Sequence, residues 1–200
     1  MPNCITLADI DEALSCADLD NVSGVVSSVI YGYWDDVATW PDLPAPASSS
    51  TSMDFATAGA WDGDVVMKSG TRAFKINFTD ESAELTLTDQ GETGAENVLY
   101  ELSFSRSKMS EVIFGFENAC RGRRMFLIVT DRNGKNYLMG DKLCAARKVS
   151  ADASTTGAKT SDNNRTNIKF QYVCPRKLIY TGDVEDLLTV ASGSGGSGVG

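Results

Sequence analysis

Two pairs of carboxylates lie close enough along the chain to invite a general acid–base reading, Asp62 with Asp64 and Glu81 with Glu84. Both pairs sit among turn signals. Trp61-Asp62-Gly63-Asp64 reads as a turn, because Asp-Gly takes positive φ readily. Solvated loop charge explains both pairs more simply than catalysis does. Asp131-Arg132-Asn133-Gly134 resembles the opening of a calcium loop, yet the further alternating acids and the closing glutamate are missing, so a tight hairpin is expected there. The chain contains no histidine. That removes the commonest base near neutral pH, the commonest metal ligand, and the Ser-His and Cys-His nucleophile pairs. The five cysteines are Cys4, Cys16, Cys120, Cys144 and Cys174, with no CxxC spacing for zinc. Cys4 and Cys16 are candidates to pair, and small buried thiols are the simpler reading. We therefore expect no catalytic residue, no metal site and no cofactor, and a chain that is not an enzyme.

A chain of 200 residues, 42% apolar, has the length and the core of one domain. Its net charge of -9 and pI near 4.5 argue against sequence-specific nucleic-acid binding, since an acidic surface repels phosphate. No basic-then-apolar leader opens the chain, and no apolar run approaches the roughly 20 residues of a membrane span. Synthesis in a cytoplasm without a membrane anchor is expected, with free thiols.

Most of the chain reads as strand. Residues 22–34 are β-branched and aromatic; 72–79, 83–88, 97–104 and 166–174 alternate apolar with polar residues, the pattern of a half-buried strand. Residues 107–121 switch to helical spacing through Met109, Val112, Ile113, Phe116 and Cys120, with Ser107 as the expected cap and Gly122 just past the end. Residues 124–140 form two apolar runs around Asn133-Gly134, a hairpin signal. A further strand is expected in 143–151, and 154–164 reads as a loop. The expected class is thus mainly β with one α-helix. Residues 1–21 form an N-terminal arm, 22–185 one β-rich domain with a long loop at 41–71, and 186–200 a flexible Gly/Ser tail.

The loop holds isolated aromatics, Phe55 and Trp61, with Trp40 at its entry. Stretches of this length without regular structure tend to be functional, so these three residues are contact candidates for a neighbouring subunit. Arg121, Arg123 and Arg124 cluster after the helix. They complement its dipole and are candidates to meet an acidic neighbour.

From about residue 72 to 182 the order of elements resembles the tail tube proteins of tailed phages. The resemblance rests on Tyr100-Glu101-Leu102-Ser103-Phe104, then a helix with a Ser-x-Met-x-x-x-Ile-x-x-Phe pattern. There follow the hairpin Val129-Thr130-Asp131-Arg132-Asn133-Gly134-Lys135-Asn136-Tyr137-Leu138-Met139-Gly140, Thr155-Thr156-Gly157, and Asp162-Asn163-Asn164 before a last strand. The resemblance implies a β-sandwich or half-barrel of the tail-tube type whose sheets join across subunits into an inner β-barrel. It implies a homo-oligomer, commonly of hexameric rings stacked into a tube. Other tail components would contact it (tape measure, terminator, baseplate or tip proteins), and DNA would pass through its lumen without sequence-specific binding. The virion tail would be its location. Other readings are a neck, terminator or capsid-decorating protein, or an unrelated β-sandwich module that binds a ligand.

Overall fold

The computed structural model describes residues 5–8, 21–47, 50, 52–159 and 161–191. Most of the expected N-terminal arm, with Cys4 and Cys16, lies outside the described residues, as does the Gly/Ser stretch from 192 onward. Among the described residues ten strands run β1 Val25–Tyr33, β2 Val37–Thr39, β3 Val66–Met67, β4 Phe74–Asn77, β5 Glu84–Gln90, β6 Asn97–Ser107, β7 Met125–Asp131, β8 Asn136–Met139, β9 Arg147–Val149 and β10 Arg165–Cys174. Two α-helices, α1 Phe55–Ala58 and α2 Glu111–Cys120, accompany them. The chain is mainly β, with one helix more than the periodicity suggests.

The strands form two four-stranded antiparallel sheets, in the orders β4-β1-β7-β8 and β5-β6-β10-β9, and a small β2-β3 ribbon. None of these sheets closes into a barrel among the described residues. In β6 and β10 the alternation is complete. Val98, Tyr100, Leu102 and Phe104 pair with Cys174, Tyr172, Phe170 and Ile168, and all eight are buried. Period-two patterning fixes this register, because a slip of one residue would turn every apolar side chain to water. Across the core, Phe78 stacks on Phe104 with ring centroids 5.0 Å apart. Between the sheets, α2 fills one seam. Phe116 meets Tyr31 of one sheet edge-on at 5.0 Å and Phe170 of the other at 6.3 Å. Its Glu117 carboxylate reaches the Lys148 ammonium of β9 at 3.1 Å.

Helix α2 starts later than its spacing suggests. Ser107 still belongs to β6: it pairs with Arg165, and its hydroxyl lies 2.9 Å from that of Thr79. Lys108 then takes φ +69, a sharp break between strand and helix. Ser110, not Ser107, caps the first turn by accepting the Ile113 N–H. Gly122 sits at φ +69 just beyond the end, as expected.

The hairpin at 125–139 matches its signal. Gly134 lies at φ +78, and the Asp131 carboxylate accepts the Asn133 and Lys135 N–H groups at 2.9 and 2.8 Å. That carboxylate is occupied in building the turn. Residues 52–71 correct the picture of a projecting loop. Asp54 caps α1 by accepting the Thr57 N–H, β3 pairs with β2, and Met53, Val65 and Met67 are buried. The folded body also runs past residue 185: Leu187 is buried, and its carbonyl accepts the Ala73 N–H at 2.7 Å.

Candidate assembly surfaces

The six residues singled out from the sequence fall in three environments. Trp61 is only 4% exposed. Its backbone N–H donates to the Ile179 carbonyl at 3.0 Å, and its indole lies inside the subunit's own core rather than facing outward. The turn signal at Asp62-Gly63 was correct, but it anchors this tryptophan: Asp42 and Asp62 exchange backbone hydrogen bonds of 2.8 and 3.0 Å. Phe55 opens α1 and is 37% exposed. Trp40 is half-buried between Trp34, stacked at 5.8 Å, and Phe126, edge-on at 5.9 Å. Arg124 joins the same corner, its guanidinium 4.2 Å from the centre of a Trp34 ring and ion-paired with Asp35. Arg121 and Arg123 are exposed and make no ion pair among the described residues. Trp40 and Arg124 are therefore brought together through Trp34, while Trp61 serves packing.

The acid pairs are dispersed on the surface. Asp62, Asp64, Glu81 and Glu84 are all exposed, and Glu81 lies 3.7 Å from Arg132. The thiols of Cys120, Cys144 and Cys174 are free. Burial pushes Cys120 up to about 12 and raises the other two, which keeps them in the unreactive thiol form.

One face of the β5-β6-β10-β9 sheet packs on the core; among the described residues the other is uncovered. Cross-strand register places Glu84, Ser103, Lys169 and Val149 in one row of that open face, and Thr86, Glu101, Gln171 and Arg147 in the next. Glu101 accepts from Lys169 at 2.8 Å and from the Gln171 amide. These two bonds, the lysine's first, hold its carboxyl below the usual carboxylate range. Glu84 and Glu101 thus face Arg147, Arg165 and Lys169 on a surface of hydroxyls and amides interrupted by Leu99, Val149 and Val173.

The two outer strands of this sheet differ in charge. From residue 76 to 105, a span that includes β5, its hairpin turn and most of β6, there are seven acids and no base; among them Glu84, Asp89, Glu92 and Glu96 follow the β5 edge. From 142 to 151, around β9, there are Lys142, Arg147 and Lys148 and no acid; Lys142 and Lys148 pair with Asp42 and Glu117, which leaves Arg147 as the cation without an ion pair among the described residues. Apolar surface accompanies the β5 edge and, separately, the β1, β4 and α2 side of the other sheet. Under β5, Leu85 and Leu87 overhang an open cleft of about 450 Å³ walled by Val25, Val129 and Tyr137. Beside α2, Tyr33, Phe74 and Val112 border a second cleft of about 430 Å³, with Val112 and Phe74 exposed.

At the end of the sheet, the turn after β8 was missed in the sequence, where 143–151 reads as strand. Asp141, only 8% exposed, accepts the Leu143 and Cys144 N–H groups at 2.6 Å each and the Tyr172 hydroxyl at 2.7 Å, while its own carbonyl accepts the Trp34 indole N–H at 2.7 Å. An Asp two residues before the leucine was the available signal, since Asp side chains build such turns.

No family model, curated protein or solved structure matches the chain. Among the described residues, no helix is long and apolar enough to cross a membrane.

Proposed function

We propose that this protein is a self-assembling structural subunit whose copies join side by side into rings, and that the rings stack as the tail tube of a tailed phage. The observation carrying this reading is the pair of unlike edges on one sheet, an acidic β5 and a basic β9 at opposite sides of the same four strands. Open edges with unpaired N–H and C=O groups invite strand addition. Opposite charge directs β5 of one copy to β9 of the next, and like edges repel. A head-to-tail contact of that kind closes into a ring when its rotation allows.

The neighbouring apolar surface supports the same pairing. Leu85 and Leu87 lie beside the acidic edge and offer it an apolar seat. A specific contact needs about 1,000 Å² or more in total, which backbone pairing plus these side chains would approach. In such a ring the uncovered face of the sheet lines the bore. That face is hydroxyl-rich and close to neutral, so a passing nucleic acid finds few phosphate ligands. The acids of residues 80–101 gather toward the β5 edge. Six copies per ring and the phage setting follow from the motif resemblance alone.

Negative-stain microscopy with sedimentation of the purified protein tests the reading. Rings or tubes are expected. A monomer at every concentration overturns it, and rings that never stack would assign the chain to a terminator or neck instead.

A further inference from the structure

Residues 21–24 are laced to the tip of the β7–β8 hairpin. The Val22 N–H donates to the Asn133 Oδ1 at 2.9 Å, the Asn133 Nδ2 donates to the Asn21 Oδ1 at 2.9 Å, and the Arg132 N–H donates to the Gly24 carbonyl at 3.0 Å. Both ends of the Asn133 carboxamide are thus engaged. The residue after it is Gly134, and no other asparagine of the chain precedes a glycine. We propose that Asn133 is a latent deamidation site, held unreactive in the folded protein by its clasp on residues 21 and 22.

The chemistry is intrinsic to the dipeptide. The Gly134 nitrogen gives up its proton to a solvent base and attacks the Asn133 Cγ. A C–N bond forms, Nδ2 takes up a proton and leaves as ammonia, and a cyclic imide results. Water then opens either C–N bond of the imide. The sum is asparagine plus water giving ammonia and aspartate or isoaspartate. Glycine favours the closure because no side chain shields its nitrogen. That openness persists in the fold: Asn133 and Gly134 are exposed, and a Cβ on Gly134 would touch nothing within 4 Å. Burial does not protect this site, so hydrogen bonding must.

Two sets of bonds do so. The nucleophile is held because the Gly134 N–H donates to the Asp131 carbonyl at 3.1 Å, while the Asp131 carboxylate accepts the N–H groups on either side, from Asn133 and Lys135. The electrophile is held by the clasp. Its carbon must turn tetrahedral during attack, and a carboxamide bonded at both ends resists that change of shape. Detachment of residues 21–24 from the hairpin would free the carboxamide. The change is one-way. In the isoaspartate product the backbone runs through the former side chain, which adds a carbon to a turn that Asp131 closes at Asn133 and Lys135.

The folded protein, the same protein in urea, and the folded variants Asn21→Ala and Asn21→Asp are held at mildly alkaline pH for the test. Loss of the Asn133 amide is followed by peptide mass spectrometry. Reaction in the folded parent should be about tenfold or more slower than in urea, since it waits on local opening. Asn21→Ala removes one bond of the clasp and should quicken the reaction about fivefold while keeping the thermal midpoint. Asn21→Asp keeps an acceptor for Nδ2 and should hold the parental rate. Equal rates in the folded and unfolded parent would overturn the proposal, as would an amide that survives even in urea. A parental rate in Asn21→Ala would credit the turn alone and overturn the clasp, and so would an Asn21→Asp as fast as the alanine variant.

Discussion

The Tyr172 hydroxyl donates a 2.7 Å hydrogen bond to the Asp141 carboxylate, joining the end of β10 to the turn after β8. Both groups are buried, so each depends on the other: the phenol would be unsatisfied without the carboxylate, and the carboxylate would be an unpartnered charge without its donors. Replacing Asp141 with alanine strands that phenol and frees two turn N–H groups. A loss of about 2–4 kcal/mol is expected by urea unfolding. Asp141→Asn keeps an acceptor for the backbone and should lose less than half as much. Equal losses would show that charge rather than turn geometry matters here.

Trp61→Ala should cost about 3–5 kcal/mol, because it empties a buried site. Phe55→Ala should cost less than about 1 kcal/mol, since that ring is partly in water already. In a chain of this size the first substitution lowers the thermal midpoint by roughly 10 °C or more. Similar midpoints for the two variants would contradict the packing described.

Gly134→Val isolates backbone geometry. A Cβ there meets nothing within 4 Å, so no clash contributes. The cost comes from holding a β-branched residue at φ +78, and about 2 kcal/mol is expected. Gly134→Asn should retain most of the stability, because asparagine tolerates that region. Denaturant midpoints of the two variants decide it.

Alkaline pH should unfold the protein through its tyrosines. Burial raises the phenols of Tyr31, Tyr100, Tyr137, Tyr172 and Tyr180, with Tyr100 reaching about 12. A raised folded value means the unfolded chain gives up its protons first. Stability is therefore full below the ordinary phenol value of 10.0 and is lost as pH climbs toward about 12. Phenolate absorbance and circular dichroism should change together in that window. Smooth ionisation of all tyrosines while the fold persists would refute the assignment.

Lateral assembly should respond to charge at the edges. Glu84→Lys with Glu92→Lys should raise the concentration for ring formation about tenfold or more, while the isolated subunit's stability changes by less than about 0.5 kcal/mol. Adding Arg147→Glu should recover part of the loss. Assembly of the parent should also weaken as salt is added, since the attraction is screened. Indifference to both changes would leave the edges without their assigned role.

Much of this fold is legible in the sequence where one periodicity dominates. Strands β6 and β10 are found because Tyr100, Leu102, Phe170 and Tyr172 obey period two with a single dry face. The hairpin around Gly134 is found because only a turn residue fits there. The start of α2 was misplaced because Ser107 and Ser110 are equally good caps, and only the long-range pairing of Ser107 with Arg165 chooses between them. Trp61 looked like an outward contact because nothing local reveals that Ile179, more than a hundred residues later, receives its N–H. The Leu143 turn was hidden for the same reason, its organising partners Trp34 and Tyr172 being remote in sequence.

The dissimilar outer strands β5 and β9 also carry an orientation. A chain of copies joined through unlike margins has a clockwise sense that cannot be reversed by turning one copy over. Stacks of such rings inherit an arrow. Growth from the two termini would then be chemically distinct, and whatever starts the structure could not also be what finishes it.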